Sequence, residues 1–181
     1  MKNKMQMILL RHMQTQYNVR GILQGRLDIP ILPPDPGQKS IIEKNKNKIT
    51  QGSYTHILVS NLKRTWETAD LYVNSYTVEP LLDELDFGEW EGHTKSAMIQ
   101  ALPQWRHKPN QLILGEPLLD LENRVKAFLS KYEPAKRILV FGHGSWIRAL
   151  LSLHRSGSIR NMNKIIVPNN KLIFIEIVKE A

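Results

Sequence analysis

Two histidine motifs are the part of this sequence best suited to chemistry. Arg11-His12 directly follows the apolar run Met-Ile-Leu-Leu, and Gly142-His143-Gly144 directly follows Ile-Leu-Val-Phe. A neutral imidazole is a competent nucleophile near neutral pH, and a second imidazole donates hydrogen bonds to the oxygens of a group in transfer. The motifs predict His12 as a nucleophile and His143 as a donor beside it.

Arginine and backbone groups near these motifs favour a phosphoryl group as the group in transfer. Arg11 belongs to the first motif, and Arg64 lies one turn into a helix predicted after the run His-Ile-Leu-Val-Ser. A guanidinium donates paired hydrogen bonds to phosphate oxygens and stays charged. Gly142 and Gly144 let the backbone come close to an anion, and Ser145 opens a helix whose free amides point at it. Together these residues predict a cationic phosphate pocket.

The leaving oxygen of a phosphoester needs a proton, so a carboxylic acid is expected near the pocket. The segment 81–92, Leu-Leu-Asp-Glu-Leu-Asp-Phe-Gly-Glu-Trp-Glu-Gly, offers five acidic side chains: Asp83, Glu84, Asp86, Glu89 and Glu91. Composition alone leaves the choice among them open.

The elements that must position these residues alternate along the chain between β-rich runs and segments of helical periodicity. The predicted strands are Met5–Leu10, His56–Ser60, Tyr76–Glu79, Arg137–Phe141, Lys164–Val167 and Lys171–Val178. The predicted helices are Ser40–Ile49, Leu62–Val73, Thr94–Leu102, Leu118–Tyr132 and Ser145–Leu153. The alternation predicts a three-layer α/β fold, an open and mostly parallel sheet with helices on both faces. Ligands of such sheets bind beyond the carboxyl ends of the strands, where the polar motifs stand.

Proline-containing segments predict the irregular parts of the fold. Ile31–Gly37 is predicted as an ordered loop, because its prolines disfavour regular structure. Pro168-Asn169-Asn170 is predicted as a hairpin turn between the last two strands. Such a hairpin would give the sheet an antiparallel component.

Length and composition limit the other possibilities. The 181 residues predict a single domain over 1–181, and the absence of cysteine excludes disulfides and thiol chemistry. No pair of histidines or carboxylates has the spacing of a metal site, and no P-loop is present. Gly142–Ile147 lacks the third glycine of a dinucleotide fingerprint. We therefore expect neither a metal nor a cofactor.

The net charge of +8 favours anionic partners in general. Its densest run, Lys39–Lys48, alternates Lys with Asn and Glu as on a solvated helix face, and it lacks the interleaved aromatic residues that stack bases. The apolar run near the N-terminus is too short for a signal peptide, and no run approaches the ~20 apolar residues that cross a bilayer. We expect a cytoplasmic protein that binds neither nucleic acid nor membranes.

The motifs resemble those of a known family, in the same order along the chain. Leu9–Asn18 resembles the opening pattern of the histidine phosphatase (phosphoglycerate mutase-like) superfamily, and Gln24–Pro30 looks like the segment that follows it. Ser60–Ala69 resembles the family's Ser-x-Leu-x-Arg-x-x-x-Thr-Ala signature. The segments 83–92 and 138–151 are similar to its acid motif and its second-histidine motif. The resemblance runs from about Met7 to Asn170.

The resemblance implies the family's fold and a metal-independent phosphatase that forms a phosphohistidine. The catalytic residues it implies are His12, Glu84, His143, Arg11 and Arg64. The phosphate-binding residues it implies are Asn18, Thr15, Gln24, Gly25 and Gly144. Glu89 and Glu91 stay open as alternatives to Glu84, and Asn18, Gln24 and Gly25 are also common turn-forming residues.

Two stretches depart from the family pattern. Met13 stands where the family has a glycine after the nucleophile, which adds a side chain next to the phosphate loop. We expect this side chain to point away and activity to persist. Leu114-Gly115-Glu116-Pro117 matches the family's Gly-Glu-Ser stretch only in part.

The expected function is hydrolysis of a small phosphorylated metabolite, and a homodimer would be unsurprising for the family. One alternative is a phosphoglycerate-type mutase, which is less favoured because the family's mutases are generally longer. The alternative outside enzymes is a module that only holds a phosphorylated ligand.

Overall fold

A five-stranded mixed sheet forms the centre of the protein. The structure is a computed structural model and describes residues 3–133 and 137–179. Its strands are β1 (Asn3–Arg11), β2 (His56–Val59), β3 (Thr77–Val78), β4 (Arg137–Gly142) and β5 (Leu172–Lys179), in the order β3-β2-β4-β1-β5. The pairs β1–β4, β4–β2 and β2–β3 are parallel, and β5 pairs antiparallel to β1. The predicted α/β fold with a mostly parallel sheet and an antiparallel component is confirmed.

The longer α-helices lie where the periodicity places them, whereas the short helices α1 and α5 were not predicted. They are α1 (Gln16–Val19), α2 (Pro36–Thr50), α3 (Lys63–Ala69), α4 (Lys95–Ala101), α5 (Gln104–His107), α6 (Leu118–Lys131) and α7 (Gly144–Ser156). Short 3₁₀ helices occupy Pro80–Leu82, Gly88–Trp90, Pro109–Gln111 and Ile159–Lys164. Each of the five predicted helices overlaps one of the longer α-helices, which confirms them. Within residues 3–133 and 137–179, no helix is both long and apolar enough to span a bilayer.

Apolar side chains on the two faces of the sheet form two cores. Along β1, Met7 and Leu9 belong to one core, and Ile8 and Leu10 belong to the other, as the two-residue period of a strand requires. Buried residues of α6 and α7 complete the first core, and buried residues of α2 and α3 complete the second. The sheet is therefore covered on both faces, which gives the three predicted layers.

The start of α2 corrects the loop predicted at Ile31–Gly37. Asp35 caps the helix by accepting from Gln38 N at 2.8 Å, and Pro36 and Gly37 are its first residues. Proline is favoured at the first helical position, where its missing N–H has no partner to lose. The prediction was wrong for these two residues, because it treated every proline as a helix breaker. The charged run Lys39–Lys48 lies within this helix, as predicted.

The strand predicted at Lys164–Val167, and with it the hairpin, was wrong. Lys164 ends a 3₁₀ helix, and Ile166 is 88% exposed instead of packed in a sheet. β5 pairs with β1, a strand more than 150 residues away in the chain. A short apolar run does not by itself specify a partner strand, so tertiary pairing decided this region.

β4 lies between β1 and β2 in the sheet. The carboxyl ends of these three parallel strands therefore meet at one edge. The residues that follow the three strands are brought together by this order alone.

Candidate active site

A cationic pocket opens at the carboxyl ends of β1, β2 and β4. It has a volume of about 190 Å³. Eight of the ten residues predicted for the site line it: Arg11, His12, Asn18, Gln24, Gly25, Arg64, Glu84 and Gly144. The two that do not are His143, which lies directly behind His12, and Thr15, which lies behind Asn18 and Gln24.

His12 follows β1 and is held in one tautomer. Its backbone N–H donates to Gly142 O at 3.0 Å, and Nδ1 lies 2.7 Å from Met13 O. A carbonyl only accepts, so Nδ1 carries the hydrogen and Nε2 keeps its lone pair. Burial, followed by the charges of Arg64 and Arg11, lowers the pKa of His12 well below its usual 6.5. The ring is therefore a neutral nucleophile at neutral pH.

His143 is the N-cap of α7 and is completely buried. Its ring centroid is 5.4 Å from that of His12, with the ring planes tilted by 59°. Nε2 lies 2.7 Å from Ser60 Oγ, whereas Nδ1 has no hydrogen-bond partner among the described residues. Burial, then Arg64, lowers the pKa of His143 well below 6.5. The two imidazoles are thus neutral, neighbouring rings.

Backbone carbonyls hold the two predicted arginines against the pocket. Arg64 donates from Nη1 to Leu27 O and from Nη2 to Gly25 O, each at 2.8 Å. Arg11 donates from Nη1 to Val167 O at 2.8 Å. Burial lowers the pKa of Arg64 to about 10 and also lowers that of Arg11. Both guanidiniums remain charged at neutral pH, and the Nε atoms of both have no partner among the described residues.

Glu84 is the acidic residue of segment 81–92 that lines the pocket. Its Oε1 accepts from the amides of Leu85, Ser145 and Trp146 at 2.9, 3.1 and 3.2 Å, and its Oε2 accepts from Ser145 N at 3.1 Å. The amides at the start of α7 were expected to face the phosphate. They bind the Glu84 carboxylate instead, so this expectation for Ser145 was wrong: a partner 61 residues away in sequence occupies the helix terminus.

Three of the other four acidic residues of this segment bind groups of the surrounding loops, and the fourth is exposed. Glu91 Oε1 accepts from Arg26 N at 2.8 Å and from Phe87 N at 3.2 Å, and Glu89 is exposed. Asp83 forms a salt bridge with Arg26 at 2.7 Å, and Asp86 accepts from Gly88 N at 2.8 Å. Their placement supports Glu84 over Glu89 and Glu91 as the acid.

Glycine relieves close contacts at two positions of the site. Gly25 has a φ of +48°, and a Cβ there would lie 1.9 Å from Glu91 Oε1. A Cβ on Gly144 would lie 3.2 Å from Arg11 Cζ, so the guanidinium packs on the bare backbone. A Cβ on Gly142 would meet only ordinary contacts, the nearest at 3.5 Å. Packing against the protein therefore does not require glycine at position 142, and its expected closeness to an anion stays a prediction.

Thr15 braces the residues in front of it. Its hydroxyl lies 3.0 Å from Gln24 Oε1 and 3.2 Å from Asn18 Oδ1, and its backbone N–H donates to Asn18 Oδ1 at 3.1 Å. The side chains of Asn18 and Gln24 are thereby fixed at the pocket wall, and Thr15 is buried behind them.

Met13 packs away from the pocket. Its side chain is 1% exposed and belongs to the core that contains Ile8 and Leu10. Its backbone N–H donates to Thr68 Oγ1 at 2.9 Å. The side chain that replaces the family's glycine thus fills the core and is absent from the pocket lining.

The loop after the last 3₁₀ helix clamps the backbone around the nucleophile. Asn169 Nδ2 donates to His12 O at 2.8 Å, and Asn170 N donates to Arg11 O at 2.9 Å. Asn170 adopts a φ of +58°, and its side chain oxygen accepts from the Tyr72 hydroxyl. The segment that sequence reasoning treated as a hairpin turn therefore forms part of the site's frame.

Two cationic residues of the pocket were not predicted. Lys95, the first residue of α4, has its pKa lowered to about 8 by partial burial and by the charges of Arg148 and Arg11. Arg148 lies on α7, three residues after Ser145, and burial lowers its pKa to about 10. The spacing from Ser145 puts Arg148 on the same helix face, a signal that was available in the sequence. The pocket lining thus holds four cationic side chains against one carboxylate.

Comparison with known proteins finds a matching family, relatives of similar sequence and structures of similar fold. The model of the histidine phosphatase superfamily (branch 1) matches residues 7–181. A Hydrogenobacter thermophilus protein named "Putative phosphoserine phosphatase 2" is 29% identical over 175 residues, covering 89% of this chain and 84% of its own. "Probable phosphoglycerate mutase GpmB" of Proteus mirabilis is 27% identical over 161 residues, covering 82% and 74%. The crystal structure of the alpha-ribazole phosphatase from Shigella flexneri has the same fold, with a TM-score of 0.76 at 24% identity over 94% of this chain and 89% of that one.

Proposed function

Because the chain belongs to the histidine phosphatase superfamily (branch 1), we propose that it hydrolyses small phosphomonoesters through a phosphohistidine on His12. The observation that carries the proposal is the tautomer and the lowered pKa of the His12 ring. Nδ1 is bound to Met13 O at 2.7 Å and the pKa is lowered well below 6.5, so Nε2 keeps a free lone pair in a cationic pocket. A neutral nitrogen nucleophile among fixed cations suits attack on a phosphoryl group.

In the first step, His12 Nε2 attacks the phosphorus in line with the ester oxygen. A P–N bond forms, the P–O ester bond breaks, and the electron pair leaves with the ester oxygen. Arg11, Arg64 and Asn18 bind the nonbridging oxygens from the pocket wall. His143 donates to an oxygen from behind His12, where it offsets charge that gathers on the group in transfer.

Glu84 supplies the proton that the leaving oxygen needs. Three amides converge on Oε1, whereas Oε2 accepts from one. Oε2 therefore has free capacity to carry the proton and donate it. In the second step water attacks the phosphohistidine, the P–N bond breaks, and Glu84 takes the water proton, so that inorganic phosphate leaves and the residue is reset.

Turnover of p-nitrophenyl phosphate with and without EDTA tests the hydrolysis. We expect turnover that resists the chelator, and a protein-bound phosphoryl label that survives alkali and is lost in acid. His12→Ala should abolish both signals. His154→Ala, which removes an exposed histidine late in α7, is the matched control and should retain them. Wild-type rates in His12→Ala would contradict the proposal.

Mutase activity is the second candidate, because relatives that are named phosphoglycerate mutases match 82% of this chain. A mutase returns the phosphoryl group of the same intermediate to a substrate hydroxyl instead of to water. Incubation with 3-phosphoglycerate separates the two activities. Release of inorganic phosphate supports the hydrolase, and faster formation of 2-phosphoglycerate would make the protein a mutase.

If the protein is a non-catalytic module, it should bind phosphate or vanadate saturably and turn over no phosphomonoester.

The remaining parts of the proposal concern partners and location: a homodimer, no affinity for nucleic acid or membranes, and a cytoplasmic protein. Size-exclusion chromatography, duplex binding across a salt series, vesicle sedimentation and cell fractionation test them in turn. Steep, salt-sensitive duplex binding would contradict the second of these parts.

A further inference from the structure

We propose that Ser60 is a positioning residue, which places the hydrogen of the His143 imidazole on Nδ1 so that this nitrogen can donate to the oxyanion. Ser60 follows β2 directly and is completely buried. Its Oγ lies 2.7 Å from His143 Nε2. The inference rests on the proposed function, because the oxyanion is the phosphoryl group that His12 attacks.

The tautomer of His143 matters because the ring has one hydrogen to offer. Burial and nearby arginines lower the pKa of His143 well below 6.5, so the ring is neutral at neutral pH. The unprotonated oxygens of a phosphoryl group only accept hydrogen bonds. A ring with its hydrogen on Nε2 would therefore present the Nδ1 lone pair to a negatively charged oxygen, which repels it.

The surroundings of Ser60 favour a hydrogen bond from its hydroxyl to His143. Leu62 N–H donates to Ser60 Oγ at 3.1 Å, and Thr65 Oγ1 lies 3.0 Å from it. When these two groups fill the lone pairs of Ser60 Oγ, its hydrogen has His143 Nε2 as the acceptor. Thr65 can donate instead to Leu62 O at 2.9 Å. The Ser60 hydrogen then still has His143 Nε2, at 2.7 Å, as a nearer acceptor than Thr65 Oγ1, at 3.0 Å.

The same tautomer serves opposite purposes in the two histidines. His12 Nδ1 donates to Met13 O, which leaves the Nε2 lone pair for attack. His143 Nε2 accepts from Ser60, which leaves the unpartnered Nδ1 as a donor. Two chemically identical rings with centroids 5.4 Å apart thus become a nucleophile and a donor through the neighbour that each ring binds.

Nitrogen NMR of histidine-labelled protein with bound vanadate tests the tautomer directly. The His143 signals are assigned by their loss in His143→Gln. In the wild-type protein we expect Nδ1 to be protonated and Nε2 to be the bare, hydrogen-bonded nitrogen. Ser60→Ala should shift the His143 signals toward the other tautomer and lower kcat about tenfold, the effect of one hydrogen bond, with KM within about threefold. Ser60→Thr keeps a hydroxyl and should recover most of kcat.

Ser152→Ala is the matched control. Ser152 is equally buried and its hydroxyl donates to Ser158 O at 2.7 Å, away from the pocket lining. Its loss should lower the melting temperature without changing kcat or the His143 signals. Protonation of Nε2 in the wild-type protein, or an unchanged kcat in Ser60→Ala, would overturn the inference. Failure of the proposed function looks different: it is the absence of turnover and of phosphohistidine in the wild type, whatever the tautomer.

Discussion

Replacing Glu84 with Gln separates the two chemical steps from the structural role of this residue. Glu84 binds three amides through Oε1 and one through Oε2. The oxygen of a glutamine can keep the three bonds at Oε1, so the start of α7 keeps a partner. The NH₂ group in place of Oε2 loses the bond from Ser145 N, which costs about 1 kcal/mol of the free energy of unfolding.

The effect on catalysis should depend on the leaving group. General acid catalysis is worth about 10²- to 10⁴-fold, so kcat for an alkyl phosphomonoester such as glycerol phosphate should fall by this factor in Glu84→Gln. Nitrophenolate is a weak base that leaves without a proton, so phosphorylation of His12 by p-nitrophenyl phosphate should slow less than about tenfold. Hydrolysis of the phosphohistidine still lacks its base and becomes the slow step.

Stopped-flow measurement of nitrophenolate release checks this prediction. Glu84→Gln should show a rapid burst of about one nitrophenolate per active site, followed by slow turnover, and the phosphorylated protein should accumulate. Glu89→Gln and Glu91→Gln are controls, since an exposed residue and a loop-bracing residue should leave both phases unchanged. Equal losses for both substrates without a burst in Glu84→Gln, or the same departure from the wild-type phases in either control, would refute the role given to Glu84.

Three further predictions concern stability. The pKa values of His12 and His143 are lowered well below 6.5, so below about pH 6.5 the unfolded chain binds protons that the folded chain does not. As the pH falls below about 6.5, the free energy of unfolding should therefore decrease by about 1.4 kcal/mol per pH unit for each ring. Urea unfolding at two pH values should show this decrease, and a smaller one in His143→Gln. Gly25→Ala forces a Cβ to 1.9 Å from Glu91 Oε1 and should lower the free energy of unfolding by about 2–4 kcal/mol. Gly21→Ala has a φ of +65° but no atom within 4 Å, so it should lower the free energy of unfolding by only about 1 kcal/mol. Met13→Gly removes a buried side chain and should cost about 3–5 kcal/mol in urea unfolding, with KM for p-nitrophenyl phosphate unchanged within about threefold; a gain in stability would refute the packing described for Met13.

Local pattern was sufficient for most of the fold and insufficient where distant strands pair. The apolar runs before Arg11 and Gly142 are central strands, because continuous β-rich runs suit a sheet covered on both faces. The last strand was also found, but its partner was not. β5 lies beside β1, and no local signal distinguishes that pairing from a hairpin with residues 164–167.

The site was predictable where one motif carries both position and chemistry. Arg11, His12 and Arg64 stand at or just after strand ends, so sheet order alone brings them together. The missed contributions depend on tertiary contacts. Lys95 lines the pocket because α4 lies beside it, and the first amides of α7 donate to Glu84. The spacing of residues along the chain predicts neither contact.

The position of β1 between β4 and β5 governs when the enzyme becomes competent during synthesis. β1 precedes the other strands, yet both of its neighbours come from residues 137–179, and the clamp on residues 11 and 12 comes from Asn169 and Asn170. In a nascent chain on the ribosome, His12 therefore lacks the strands and side chains that position it until nearly all of residues 137–179 have emerged. Pairing over such sequence distances is slow, and a chain that ends before residue 137 lacks both partner strands of β1 and the hydrogen bonds from Asn169 and Asn170.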